Sequence, residues 1–69
     1  MPVHYWVNSQ AQSNGDHEVH KYGCNRMPDK KNLVDLGFHY SDYSALEAAR
    51  KLYPKADGCW YCCPTIHNS

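Results

Sequence analysis

The sequence predicts a small α+β fold: a three-stranded antiparallel sheet with one helix, ending in a C-terminal zinc knuckle. Residues 3–7 are rich in β-branched and aromatic residues, which favour a strand, and two further short segments are predicted to be strands. One segment of helical periodicity lies between a serine and a proline. A C-x2-C pair near the C-terminus is typical of a zinc site. The chain has 69 residues, so we expect a single domain, 1–69.

The first half of the chain contains the predicted strands. Residues 3–7 are β-branched and aromatic and predict the first strand. Asn14-Gly15 is a strong turn dipeptide, so residues 17–21 are expected to return as the second strand of a long-looped hairpin. A polar loop follows, and residues 33–38 predict the third strand.

The helix has the clearest pattern. Ser41 can cap its N-terminus, and Ser44 with Glu47 fits a capping box, so the start is open between the two serines. Pro54 ends the helix. Apolar side chains recur at helical spacing and are expected to face the core. They are Ala45, Leu46, Ala49, Leu52 and Tyr53.

Length and charge limit the possible functions. A chain below roughly 70–80 residues rarely gains more than about 3–5 kcal/mol from its core, so it usually needs a metal, a disulfide or a partner. The formal net charge is zero. This counts against sequence-independent nucleic-acid binding and against a polybasic membrane anchor, because both depend on a surplus of Lys and Arg.

The sequence also bears on location. No apolar stretch approaches the roughly 20 residues that a membrane helix needs. The first residues show no basic region followed by an apolar run, so we see no signal peptide. We therefore expect a cytoplasmic protein without a membrane partner, whose cysteines are metal ligands or reactive thiols more often than disulfides.

Two ligand pairs predict a structural zinc ion. His20 and Cys24 form an H-x3-C pair at the end of a predicted strand, and Cys59 and Cys62 form a C-x2-C turn. Gly58 precedes that turn and permits its tight backbone. Three cysteines and one histidine are an accepted structural zinc set. The helix between the two halves would bring the pairs together.

Other ligands and other roles for the cysteines stay open. Cys63 adjoins Cys62, so both rarely reach one ion, whereas His67 or His17 could replace His20. Four cysteines also allow three disulfide connectivities. A reactive pair of Cys63 and His67 is conceivable, although so small a chain has little room for a pocket that excludes water.

The aromatic residues and one polar segment have two interpretations each. Trp6, Trp60, Tyr5 and Tyr61 could form a stacking platform, but the favoured prediction is that they build the core. Residues 10–17 are either a recognition loop or, as we prefer, a solvated hairpin connection.

Residues 20–64 resemble the Ada-type metal-binding domain. The matching features are the ligand pair His20 and Cys24, Asn32 before a strand, Ser41 with an early alanine at 45, and Cys59 and Cys62 followed by Pro64. The resemblance implies a small α+β unit around a four-ligand zinc. In the repair members a zinc-bound cysteine accepts a methyl group from a DNA phosphotriester. That cysteine falls where this sequence has His20, so the resemblance implies the fold more than the activity.

Three functions follow from these patterns. The first is a zinc-binding module with a structural metal, which binds a protein or nucleic-acid partner. The second is a thiol enzyme or alkyl-group acceptor related to Ada-type repair domains, with Cys62 or Cys63 reactive. The third is a disulfide-linked secreted miniprotein, which the absent signal peptide disfavours.

Overall fold

A computed structural model describes residues 1–68 of the chain. It contains four strands and one α-helix: β1 (Val3–Asn8), β2 (His17–Lys21), β3 (Leu33–His39), α1 (Asp42–Leu52) and β4 (Ala56–Gly58). Short 3-10 turns lie at Lys30–Asn32 and Pro64–Ile66. The strands form one sheet in the order β3-β1-β2-β4. The α+β class is therefore confirmed.

The sheet has four strands and is mixed, so the prediction of a three-stranded antiparallel sheet is wrong in strand number, although the three predicted strands do pair antiparallel. β4 adds a fourth strand, which pairs in parallel with β2 and places Ala56 opposite His17 and Gly58 opposite Val19. A parallel pair needs a crossover connection, and α1 supplies it between β3 and β4. The sequence signal was weak because β4 has only three residues and none of them is β-branched or aromatic.

The predicted hairpin is confirmed. β1 and β2 pair antiparallel, with Trp6 opposite His20 and Val7 opposite Val19. The connecting loop turns at Gly15, whose φ of 91° lies in the left-handed region that glycine adopts without strain. β3 pairs antiparallel with the other edge of β1, across an irregularity in register beside Tyr5.

The helix begins at the first of the two candidate serines. The Ser41 hydroxyl accepts a hydrogen bond from the Ser44 backbone N–H at 3.1 Å, so Ser41 is the N-cap and the alternative start at Ser44 is wrong. The helix ends at Leu52, before Pro54, as predicted. Leu52 is 54% exposed, so its predicted core position is wrong. It is the last residue of the helix, and the apolar face of the helix extends beyond the core at this end.

The core lies between α1 and one face of the sheet. Its buried members come from the strands, the helix and the C-terminal turn: Tyr5, Val7, Val19, Ala45, Leu46, Ala49, Ala56, Cys63 and Ile66. Because side chains alternate along a strand, His4 and Trp6 of β1 face away from the helix. Among residues 1–68, no helix has the length and apolarity needed to cross a bilayer.

Candidate metal centre

The parallel pairing of β2 and β4 brings the two ligand pairs together. The register that places Gly58 opposite Val19 continues for one residue, because the Cys59 N–H donates to the Val19 carbonyl at 2.9 Å. Cys59 therefore lies beside His20. Parallel strands end at the same edge of a sheet, so the turns that follow β2 and β4 meet there.

Each ligand turn is closed by its own backbone. The Cys24 N–H donates to the Lys21 carbonyl at 3.1 Å, which turns the chain back after β2. The Cys63 N–H donates to the Cys59 carbonyl at 2.7 Å, which folds the C-x2-C segment into a tight turn. These turns aim Cys24 and Cys62 at the space beside His20 and Cys59.

The four side chains form a group that could hold a metal ion. One ligand atom from each of His20, Cys24, Cys59 and Cys62 lies within 4.8 Å of the others. The Cys24 sulfur is 3.5 Å from His20 Nδ1 and 4.0 Å from the Cys59 sulfur. Tetrahedral zinc with ordinary bond lengths separates sulfur from nitrogen by about 3.6 Å and two sulfurs by about 3.8 Å. The observed spacing fits such an ion with small adjustments.

Backbone N–H groups point at the sulfur atoms. The Arg26 N–H lies 3.4 Å from the Cys24 sulfur. The N–H groups of Tyr61 and Cys62 lie against the Cys59 sulfur, and the Lys21 N–H lies against the Cys62 sulfur. Hydrogen bonds of this kind stabilise a thiolate.

Burial opposes ionisation of these thiols when no cation is bound. Burial raises the pKa of the Cys59 thiol to about 12 against the lowering effect of the N–H groups. Burial also raises the pKa of Cys24. At Cys62, a hydrogen bond with Cys63 and burial raise the pKa. A divalent cation reverses this balance, because a coordinated thiol loses its proton.

His20 has the environment of a ligand. Its side chain is 1% exposed, and burial lowers its pKa, so the imidazole is neutral at physiological pH. Nδ1 faces Cys24, whereas Nε2 lies 3.4 Å from a Glu18 carboxylate oxygen without the alignment of a hydrogen bond. Ligating histidines commonly direct the second ring nitrogen at a carboxylate. Glu18 was not predicted as a site residue, although its position two residues before His20 places both on one face of β2.

Cys63 is outside the group of four. Its side chain is fully buried in the core, and its sulfur lies 3.8 Å from the Cys62 sulfur. Successive residues turn their side chains in different directions, so Cys62 faces the cluster while Cys63 packs inward. All four cysteines are free thiols in the structure.

The two alternative histidines have other contacts. His67 Nδ1 lies 2.9 Å from the Gly58 carbonyl and 3.3 Å from an Asp57 carboxylate oxygen. His17 Nδ1 lies 2.9 Å from the Asn8 carbonyl, and its ring stacks on a tyrosine at a centroid distance of 4.0 Å. Neither histidine belongs to the group that could hold a metal.

The aromatic residues divide between core and surface. Tyr5 is buried, as predicted, but Trp60 and Tyr61 are 59% and 47% exposed, so the core prediction is wrong for them. Both lie between the two knuckle cysteines, where the tight turn points the intervening side chains outward. The Arg26 guanidinium lies 5.3 Å from the centre of the Tyr61 ring.

Comparison with known proteins supplies no relative. No protein-family model, no curated protein and no solved structure matches the chain. Function is therefore inferred from the residues and the geometry of the site.

Proposed function

We propose that this protein is a small zinc-binding module in which the metal is structural and the folded surface binds a protein or nucleic-acid partner. One observation carries the proposal: His20, Cys24, Cys59 and Cys62 converge with ligand atoms within 4.8 Å of one another. The residues come from two turns far apart in sequence, so a bound ion would tie the ends of β2 and β4 together. The likeness to the Ada-type domain is part of this proposal, as a statement about the fold alone.

The donor set favours zinc. Thiolate and imidazole ligands in a tetrahedral arrangement suit zinc, whereas hard cations such as magnesium and calcium prefer oxygen ligands. Iron can occupy the same four ligands, and metal analysis distinguishes the two elements. The 3.5 Å and 4.0 Å spacings measured here fit tetrahedral zinc, which is the metal that we propose.

A structural role follows from the number of ligands. Four protein ligands complete a tetrahedron, whereas catalytic zinc keeps a position for water or substrate. A chain of 69 residues gains little stability from its core, so a metal that joins two turns contributes a large share of the folding free energy.

The geometry does not favour the thiol-enzyme alternative. A reactive cysteine needs access and a lowered pKa. Cys63 is fully buried, and a hydrogen bond with Cys63 followed by burial raises the pKa of Cys62. His67, the candidate base, is directed at the Gly58 carbonyl.

Metal replacement tests the proposal. Protein loaded with cobalt(II) is expected to show intense visible absorption of a tetrahedral ion and strong sulfur-to-metal charge transfer, with one cobalt per chain. Cys59→Ser should reduce the charge-transfer intensity and weaken binding, while Cys63→Ser is the matched control and should leave the spectrum unchanged. A weak octahedral spectrum in the wild type, or an equal effect of both substitutions, would contradict the proposed ligand set.

A further inference from the structure

One ring nitrogen of His20 is buried without a hydrogen bond. The His20 side chain is 1% exposed, and among residues 1–68 its Nε2 is the one buried side-chain nitrogen or oxygen atom that has no hydrogen-bond partner. Buried polar atoms are paired in the great majority of cases, so an unpaired one calls for a functional explanation. The proposed metal site accounts only for the other ring nitrogen, Nδ1, which faces Cys24.

The Glu18 carboxylate lies within reach of Nε2. One of its oxygen atoms is 3.4 Å from Nε2, and the Glu18 side chain is 16% exposed, so most water is kept away from this contact. Glu18 and His20 are two residues apart in β2, which places both side chains on one face of the sheet. A small rotation of the imidazole ring would shorten the contact to the roughly 2.7–2.9 Å of a hydrogen bond to a carboxylate.

The carboxylate on the adjoining strand is engaged elsewhere. Asp57 lies opposite Glu18 in the parallel pair of β2 and β4. Its two oxygen atoms accept from the Asn68 N–H at 3.0 and 3.1 Å, and one of them lies 3.3 Å from His67 Nδ1. Asp57 therefore holds the C-terminal residues in place, and Glu18 is the carboxylate that serves His20.

A bound metal fixes the position of the ring proton. A histidine ligand is neutral and binds the ion through the lone pair of one ring nitrogen, so its single N–H is on the other nitrogen. Nδ1 lies 3.5 Å from the Cys24 sulfur, close to the spacing of about 3.6 Å in tetrahedral zinc. With Nδ1 on the metal, the proton is on Nε2 and faces Glu18, whose ionised carboxylate only accepts hydrogen bonds.

We propose that Glu18 is the positioning residue of the metal site: its carboxylate accepts a hydrogen bond from His20 Nε2 and thereby makes Nδ1 the nitrogen that binds zinc. The proposal rests on the proposed function, because it names the residue that orients one of the four zinc ligands. Glu18 itself does not bind the metal. Its hydrogen bond fixes the orientation of the ring and makes Nδ1 a stronger donor to the ion.

Nitrogen NMR of the histidine rings tests the proposal on the unaltered chain. The chain is loaded with cadmium-113, which replaces zinc at thiolate sites and couples magnetically to the nitrogen that it binds. We expect this coupling at His20 Nδ1, together with an Nε2 proton that exchanges with water slowly enough to be observed. Coupling at His20 Nε2 would overturn the proposal.

Two substitutions of Glu18 measure its contribution to zinc affinity. Glu18→Ala removes the acceptor, so it should lower zinc affinity about tenfold to a hundredfold in a chelator competition and abolish the observable Nε2 proton. Glu18→Gln has nearly the same shape and keeps an acceptor oxygen without the charge. It should lower affinity less, by about threefold to tenfold, and keep the Nε2 proton observable. A merely structural role of Glu18 would lower stability without changing the exchange of this proton.

Asp35→Asn is the matched control. The Asp35 carboxylate lies 2.8 Å from His4 Nε2, so this substitution also removes one negative charge beside an imidazole, at a histidine outside the metal group. It should change zinc affinity less than about twofold, because Asp35 is exposed and its charge is screened. Equal effects of Glu18→Gln and Asp35→Asn would overturn the proposal. A chain that binds zinc equally well with Glu18→Ala loses this proposal alone, whereas a chain that binds no metal loses the proposed function.

Discussion

Replacement of Gly58 by alanine probes the backbone of the knuckle. Gly58 ends β4 and precedes the first knuckle cysteine. A Cβ atom at this position would collide with Ile66 Cγ1 and would lie 2.6 Å from the carbonyl oxygen of Cys63. Gly58 was predicted to permit a tight turn, but in the structure it permits the close approach of the C-terminal turn to β4.

The cost of the substitution follows from these contacts. An ordinary carbon–oxygen contact is about 3.4 Å, so the Cys63 carbonyl must withdraw by about 0.8 Å. It cannot move freely, since it accepts a hydrogen bond from the Ile66 N–H at 3.2 Å. Overpacking of this kind costs about 1–3 kcal/mol, and alanine regains up to about 1 kcal/mol of backbone entropy in a strand. We expect a net loss of about 1–2 kcal/mol in the free energy of unfolding.

Urea unfolding of the zinc-loaded protein, followed by tryptophan fluorescence, measures this loss. A double-mutant cycle with Ile66→Ala adds a control, because the shorter side chain removes one of the two collisions. The loss of stability caused by Gly58→Ala should be smaller by at least about 1 kcal/mol when Ile66 is already alanine. A stability of Gly58→Ala within about 0.5 kcal/mol of the wild type would refute the reasoning, and so would purely additive effects.

Three further predictions concern the core, the fourth ligand and pH. Tyr5→Phe should lower the free energy of unfolding by about 1–3 kcal/mol, because the Tyr5 hydroxyl donates to the partly buried Asp42 carboxylate. Burial, followed by that hydrogen bond, raises the pKa of Tyr5 above 10.0, so the stability that Tyr5 contributes is present below pH 10 and is lost at higher pH. Urea unfolding from pH 8 to 11 should show this loss of stability in the wild type and not in Tyr5→Phe. In a chelator competition, His20→Ala should lower zinc affinity by at least about tenfold, whereas His67→Ala should change it by less than about threefold. The reverse order of effects would assign the fourth ligand to His67. Zinc affinity should rise with pH, because each thiol releases a proton on binding; the same competition at pH 6, 7 and 8 checks the sign, and a pH-independent affinity would exclude thiolate ligands.

Local patterns predicted much of the fold. Ser41 caps the helix because its side chain competes for the first free N–H groups, a property that a short stretch of sequence reveals. The hairpin followed from Asn14-Gly15, and β2 occupies the expected residues 17–21. The two ligand pairs could be predicted because the spacing of ligands within each turn is also local information.

β4 was not predicted because the residues of this strand do not determine it by themselves. Ala56, Asp57 and Gly58 have low strand propensity, and their strand exists only through pairing with β2. That pairing depends on where α1 returns the chain. The contact between His20 and Cys59, which was expected from ligand chemistry, in fact depends on this unpredicted strand.

The aromatic surface was also hidden from sequence. Tyr5 and Trp6 are adjacent and therefore face opposite sides of the sheet, yet both residue types favour burial. Only the position of α1 determines which face is covered. The same uncertainty applies to Leu52, which shares the helical stripe of Ala45 and Ala49 but lies beyond the packed part of the helix.

The most direct test of a structural zinc site is native mass spectrometry before and after treatment with a chelator, combined with circular dichroism of the same samples. We expect a mass increment of one zinc ion on the purified chain. The chelator should remove that increment together with the compact charge-state distribution and the far-ultraviolet signal, and added zinc should restore all three. A chain that is free of metal and still folded, with the same dichroism before and after chelation, would contradict the account.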